Sequence, residues 1–104
     1  MILQDKISTM LNFAMRAGKA VYGTETITES RRKLVILVCR TLSENSLKKL
    51  VKDNQKTMII KTKAFDLFDL THKNGKAIAV IDKNMADEII KNINENYEVI
   101  SEGK

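Results

Sequence analysis

Residues 34–39 read Leu-Val-Ile-Leu-Val-Cys, an unbroken apolar run with the length of a β-strand. A second run, Ala-Ile-Ala-Val-Ile, occupies residues 77–81. Strands that are apolar at every position, rather than at alternate positions, are typical of a sheet covered by helices on both faces. The two runs therefore predict the central strands of an α/β fold.

Helical patterns surround these two runs. An amphipathic stripe predicts a first helix that ends near Gly18, where a residue without Cβ can close the last turn. Thr24 is the predicted N-cap of a short second helix through Glu29, and Ser43 is the predicted N-cap of a third. Ala64, Leu67 and Phe68 mark a further short helix. The inward-facing positions of the longer helices are predicted to be Leu3, Ile7, Met10, Leu11, Ala14, Leu47, Leu50, Val51, Ala86, Ile89, Ile90 and Ile93.

Two shorter apolar segments complete the predicted sheet. Ala20–Tyr22 and Thr57–Ile60 read as strands, so the chain is a helix followed by four strand–helix pairs. This order predicts one domain over residues 1–104, of class α/β. We expect a single three-layer α/β/α sandwich with a four-stranded, largely parallel or mixed sheet, whose strand order the pattern does not give.

The composition is that of a small globular chain. Its 104 residues are 43% apolar and 30% charged, which argues against disorder. No apolar run approaches the ~18 residues that span a bilayer. The first residues lack a signal-peptide pattern, so we expect a cytoplasmic protein without a membrane partner. Cys39 is the single cysteine, which excludes disulfides and multi-cysteine metal sites, and its apolar run makes it a candidate core residue.

The charge is unevenly distributed. The formal net charge is +5, and residues 1–52 carry +6 while residues 53–104 carry −1. An excess of positive charge in one part of a chain is typical of a binding surface for an acidic partner. A generally lysine-rich, solvated surface is the alternative.

Few side chains offer catalytic chemistry. His72, the single histidine, lies in a polar loop and is a solvated side chain, an RNA contact or a catalytic base. Asp82 either caps the last helix or acts as a functional carboxylate. Asp66 and Asp69 share a helix face without a third apparent metal ligand. The standard nucleotide-binding glycine loops do not occur. We therefore expect no enzyme activity, no metal and no cofactor.

Glycines and cations favour a nucleic-acid interface instead. Gly23 and Thr24 open the second helix, an arrangement whose backbone N–H groups attract phosphate. Gly75 permits close backbone approach in the His72–Lys76 loop. If parallel strands place that loop beside Gly23, the two turns form one basic, glycine-bearing edge. The predicted RNA-binding residues are Arg16, Lys19, Gly23, Thr24, Glu25, Arg31, Arg32, Lys33, His72, Lys73, Asn74, Gly75 and Lys76.

Three stretches resemble the L-seven-Ae / L-thirty-e ribosomal protein family, and most closely its short bacterial YlxQ-type members. They are residues 11–19 (Leu-Asn-Phe-Ala-Met-Arg-Ala-Gly-Lys) with Gly23, residues 43–50 (Ser-Glu-Asn-Ser-Leu-Lys-Lys-Leu), and residues 77–83 (Ala-Ile-Ala-Val-Ile-Asp-Lys) with Ala86. The resemblance covers nearly the whole chain. It implies an α/β/α sandwich and RNA binding, in the best-known members to sharply bent kink-turns.

The family's RNA-binding signature is only partly present. Gly23 and Thr24 match its Gly and Thr, whereas Glu25, Thr26 and Glu29 stand where the family has Asn, Glu and Lys. Recognition of kink-turns in the usual way needs those three side chains. Contacts to RNA shape and to phosphates do not need them.

The sequence therefore predicts a non-catalytic RNA-binding protein associated with translation or the ribosome. Its expected partner is structured RNA, ribosomal RNA first of all. The alternative is a protein-interaction module on the same fold, in which the altered second helix binds a protein. A small α/β enzyme built on His72 and Asp82 is a third reading, which would need a deep pocket joining the two residues.

Overall fold

The structure is a computed structural model that describes residues 6–73 and 75–103. Five helices and five strands follow one another in this part of the chain: α1 (Lys6–Arg16), β1 (Ala20–Tyr22), α2 (Thr24–Glu29), β2 (Val35–Val38), α3 (Glu44–Asp53), β3 (Met58–Thr62), α4 (Leu67–Thr71), β4 (Ala77–Val80), α5 (Lys83–Lys91) and β5 (Tyr97–Ser101). None of these helices is long and apolar enough to cross a membrane. The predicted positions Leu3 and Asn74 lie outside the described residues.

The five strands form one mixed sheet in the order β1-β4-β2-β3-β5. Only the β2–β3 neighbours are parallel, and the other three neighbouring pairs are antiparallel. The mixed alternative is confirmed, whereas a largely parallel, four-stranded sheet is wrong. The fifth strand was not predicted because β5 lies at an edge of the sheet, where Glu98 interrupts the apolar residues and only Tyr97 is buried.

The two central strands carry the core, as their sequences predict. Every residue of β2 and β4 is buried. Successive side chains of a strand point to opposite faces of the sheet, so each strand contributes to two cores. One core, against α1, α4 and α5, contains Val35, Leu37, Ile78 and Val80. The other, against α2 and α3, contains Ile36, Val38, Ala77 and Ala79. The three-layer α/β/α sandwich is thereby confirmed.

Helix capping agrees with the sequence at two of three sites. The Ser43 hydroxyl accepts a hydrogen bond from the Ser46 N–H at 3.2 Å and caps α3. The Asp82 carboxylate accepts one from the Met85 N–H at 3.0 Å and caps α5, so the capping role of Asp82 is confirmed. Thr24 is not an N-cap, because the cap of α2 is Gly23 and no side chain bonds there.

The short helix α4 differs from its prediction. It begins at Leu67, so Ala64 precedes it, and its five residues turn Phe68 outward. Leu67, which was predicted for this helix, and Leu70, which was not, face the core. The predicted stripe of α5 also ends early, because Ile93 follows the helix and is half-buried, as is Ile90. Such short helices present too few turns for the sequence period to fix their buried face.

Candidate nucleic-acid interface

The antiparallel pairing of β4 with its neighbours brings the two glycine-bearing turns together. Tyr22 at the end of β1 lies opposite Ile78, and the Gly23 N–H donates to the Ala77 carbonyl oxygen at 3.1 Å. The loop before Ala77 therefore lies beside the start of α2. We call this the loop end of the sheet, and its predicted residues are Gly23, Thr24, Glu25, His72, Lys73, Gly75 and Lys76.

The loop that precedes β4 has a defined backbone. His72 closes α4 in the left-handed conformation (φ 56°), and its N–H donates to the Phe68 carbonyl oxygen at 2.7 Å. The Thr71 hydroxyl bonds to both the N–H and the carbonyl oxygen of Lys73, at 3.1 and 3.2 Å. Gly75 has φ 143°, which side chains rarely adopt. These contacts hold Lys73 and Lys76 on the outside of the turn.

Two exposed aromatic rings accompany the cations of the loop end. The Lys73 ammonium nitrogen lies 5.6 Å from the centre of the Tyr22 ring, and Tyr22 is 39% exposed. The Phe68 ring contacts His72 edge-on, with 6.2 Å between ring centres, and is 48% exposed. The sequence analysis missed both rings as surface residues. The signal available was an aromatic residue before each of the two glycine-bearing turns: Tyr22 directly precedes Gly23, and Phe68 precedes the loop that contains Gly75.

Arg40 is a further cation at the loop end that the sequence analysis missed. It follows β2, and its Nε lies 2.8 Å from the Asp66 Oδ1. The hydrogen bond to Asp66 raises the pKa of the Arg40 guanidinium above its ordinary value. The Lys76 ammonium donates to the Thr41 carbonyl oxygen at 3.3 Å, next along the chain. Arg40 and Lys76 thus lie close together, although Asp66 offsets one of the two charges.

The two glycine-bearing turns share one edge, through antiparallel rather than parallel strands, but the other predicted cations lie at the opposite end of the sheet. The Lys19 carbonyl oxygen accepts from the Ile81 N–H at 3.0 Å, which places Lys19 where β4 ends. Residues 31–33 precede β2 and reach the same end. β4 has four residues, so roughly 13 Å of strand separates the two ends. We call this the basic end, and its residues are Arg16, Lys19, Arg31, Arg32 and Lys33.

A cleft between α2 and α3 carries mainly negative charge. Its volume is about 460 Å³. Its lining contains three carboxylates and one ammonium group, and the lining residues are Thr24, Glu25, Thr28, Glu29, Ser46, Lys49, Leu50 and Asp53. The predicted site residue Glu25 therefore contributes to an acidic surface, which repels phosphate.

The candidate catalytic groups do not converge. His72 lies before β4 and Asp82 lies after it, so the strand separates them. Cys39 is buried, and burial raises the pKa of its thiol, but hydrogen bonds with Thr41 and from the Leu67 N–H outweigh burial and lower the pKa overall. Asp66 and Asp69 form a capping box at α4, and residues 6–73 and 75–103 contain no cluster of three metal-binding side chains.

Comparison with known proteins supports the fold. No family model and no curated protein matches the chain. Among solved structures, the chain is similar to a protein of unknown function from Bacillus halodurans, with a TM-score of 0.76 and 14% sequence identity. The match covers 85% of this chain and 96% of that protein. At this identity the similarity concerns the fold alone.

Proposed function

We propose that this protein is a non-catalytic RNA-binding protein of the cytoplasm that contacts structured RNA through the loop end. The observation that carries the proposal is the hydrogen bond from the Gly23 N–H to the Ala77 carbonyl oxygen. It sets two glycine-bearing turns, Lys73, Lys76 and the Tyr22 ring beside one another. The resemblance to ribosomal proteins suggests ribosomal RNA, or the ribosome itself, as the partner.

Each component of the loop end suits RNA that is not a regular duplex. Gly23 and Gly75 have no side chain to block a phosphate from the backbone. Lys73 and Lys76 supply positive charge for phosphates, which dominate affinity. Exposed rings such as Tyr22 stack on unpaired bases of loops and bulges. The loop end therefore fits a bent or looped segment better than an uninterrupted helix.

Two acidic side chains, one in the first turn and one at the end of α2, limit how this RNA is held. Glu25 and Glu29 replace the neutral amide and the cation of the family signature, and both repel phosphate. The RNA must then lie over the 72–76 loop and away from the α2–α3 cleft. Binding by shape and phosphate contacts is compatible with that path.

Reversing two charges at the loop end tests the proposal. Lys73→Glu combined with Lys76→Glu is expected to weaken binding of labelled ribosomal RNA transcripts containing internal loops by about tenfold or more. The slope of log affinity against log salt concentration should fall by roughly two, because two phosphate contacts are lost. Both quantities come from fluorescence anisotropy titrations at several salt concentrations.

A variant with the same charge change elsewhere is the control. Lys48→Glu combined with Lys91→Glu alters exposed lysines on α3 and α5 and should bind nearly as wild type. Thermal unfolding of both variants checks that each is folded. If both double variants bind equally well, the loop end is not the RNA site. If the wild-type protein binds no transcript at low salt, RNA binding itself is wrong.

The acidic cleft favours a second candidate function, in which α2 and α3 bind a basic protein segment. Glu25, Glu29 and Asp53 offer three carboxylates against the single ammonium of Lys49. Arginine or lysine side chains of a partner complement such a lining. Purification of partners with and without nuclease separates the two functions. A partner that survives nuclease and is lost on Glu25→Lys with Glu29→Lys favours the protein-binding module.

A further inference from the structure

The basic end carries positive charge that is not part of the RNA site proposed at the loop end. Arg16, Lys19, Arg31 and Arg32 are all exposed. The ion pairs within residues 6–73 and 75–103 are Arg40–Asp66 and Lys83–Asp87, so these four cations have no acidic partner there. Four cations at one end of a small domain repel one another unless an anion is bound.

The backbone holds the first two of these cations in place. The Lys19 N–H donates to the Ala14 carbonyl oxygen at 2.8 Å, and the Gly18 N–H donates to the Met15 carbonyl oxygen at 3.3 Å. This pair of bonds is a Schellman motif, which closes α1 around Gly18 at φ 71°. The backbone at Arg16, in the last turn of α1, and at Lys19, just before β1, is consequently fixed.

Lys33 fixes the other two cations. Its ammonium donates to the carbonyl oxygens of Thr28 and Ser30, each at 2.9 Å, and so satisfies the end of α2. Lys33 is half-buried, whereas Arg31 and Arg32 between these contacts remain exposed. The segment is thus a tied loop that presents two guanidinium groups. Guanidinium matches the geometry of a phosphate with two parallel hydrogen bonds.

The two pairs of cations flank the end of β4. The Ile81 N–H donates to the Lys19 carbonyl oxygen at 3.0 Å on one side, and the Leu34 N–H donates to the Val80 carbonyl oxygen at 2.9 Å on the other. Two strand spacings, about 10 Å, therefore separate the chain at Lys19 from the chain at Leu34. The nearby Asp82 carboxylate is engaged by the Met85 N–H. The surface between the pairs can accommodate a phosphate-bearing strand.

We propose that the basic end is a second phosphate-binding surface, which holds the backbone of an RNA segment at the end of the sheet opposite the loop end. This inference rests on the proposed function and adds to it that one molecule contacts two RNA segments. The two segments belong to one folded RNA or to two separate molecules. In both cases the recognised chemistry is the phosphodiester backbone, without dependence on base sequence.

The test uses Arg31→Glu with Arg32→Glu and leaves Lys33 unchanged, because Lys33 closes α2. Two stem-loops, whose rigid stems cannot wrap around the domain to contact both ends of the sheet, carry a donor and an acceptor fluorophore. Wild-type protein is expected to bind two stem-loops and to give energy transfer between them. The variant should bind one stem-loop through its intact loop end and lose the energy transfer. On a longer RNA that reaches both ends, the slope of log affinity against log salt concentration should be smaller by roughly two for the variant than for the wild type.

The outcomes separate this inference from the proposed function. Energy transfer between the short stem-loops, lost in the variant, supports binding of separate RNA molecules. A loss confined to the longer RNA supports two segments of one RNA. If the variant keeps the wild-type affinity, stoichiometry and salt slope on all three RNAs, the inference is wrong while RNA binding stands. If, in addition to that result, a nuclease-treated pull-down recovers an acidic protein, the basic end binds a protein and not RNA. The Lys48→Glu/Lys91→Glu variant is the charge control, and it should behave as wild type.

Discussion

Val80→Asp is expected to unfold the protein. Val80 is completely buried in β4, where it packs against the core that α1, α4 and α5 cover. A carboxylate there has no cationic partner and loses its hydration, at a cost of roughly 5 kcal/mol or more. The whole folding free energy of a small domain is about 5–15 kcal/mol. Circular dichroism and thermal denaturation should show loss of the cooperative transition at ordinary temperature.

The matched control is the same change at an exposed valine. Val99→Asp in the edge strand β5 alters a side chain that is 41% exposed and should leave a cooperative transition within a few degrees of wild type. Ile36→Asp, on the other face of the sheet, should behave as Val80→Asp does. A Val80→Asp protein that melts cooperatively near the wild-type temperature would contradict the placement of β4 at the centre of the sandwich.

Gly23→Ala is expected to destabilise the protein by about 1–3 kcal/mol. Gly23 has φ 85° and ψ 142°, a backbone conformation that is nearly restricted to glycine. An added Cβ would meet no atom within 4 Å, so the cost comes from the backbone and not from a clash. Urea denaturation measures this change. RNA affinity should also fall, because Gly23 lies between Lys73 and α2 at the loop end.

Gly18→Asn is the control that shows whether the destabilisation comes from the backbone conformation at Gly23 or from the loss of any glycine. Gly18 closes α1 in the left-handed region at φ 71°, which asparagine tolerates. We expect this change to cost less than about 1 kcal/mol and to leave RNA affinity at the loop end unchanged. Equal destabilisation by Gly18→Asn and Gly23→Ala would show that the special conformation of Gly23 does not matter.

The sequence predicted the layers of the fold better than the sheet within them. The continuous runs at 34–39 and 77–81 identify central strands, because only a strand buried on both faces needs apolar residues throughout. Strand direction depends on where each connection returns the chain. α4 has only five residues and brings the chain back to the end of the sheet where β3 finishes, so β4 runs antiparallel to β2. The residues of β4 themselves do not indicate the direction of the strand.

The candidate site was predicted in its parts but not in its arrangement. Arg16 and Lys19 are close to Gly23 in sequence, yet β1 carries the chain from the basic end to the loop end between them. α2 then carries it back, so Arg31 rejoins Lys19 and not Gly23. β1, with three residues, and α2, with six, thus place Gly23 at one end of the sheet and the cations that flank it in sequence at the other. The pairing of Gly23 with Ala77 is a long-range contact that only the sheet order fixes.

The central claim is that the loop end binds folded RNA. Ultraviolet crosslinking of the protein to RNA in cells, followed by sequencing of the RNA and mass spectrometry of the protein, tests it most directly. We predict crosslinked nucleotides on peptides containing Tyr22 or His72–Lys76, and recovered sequences enriched in internal loops and bends of structured RNA. Recovery of no RNA above the level of the Lys73→Glu/Lys76→Glu variant, or crosslinks confined to other peptides, would contradict it.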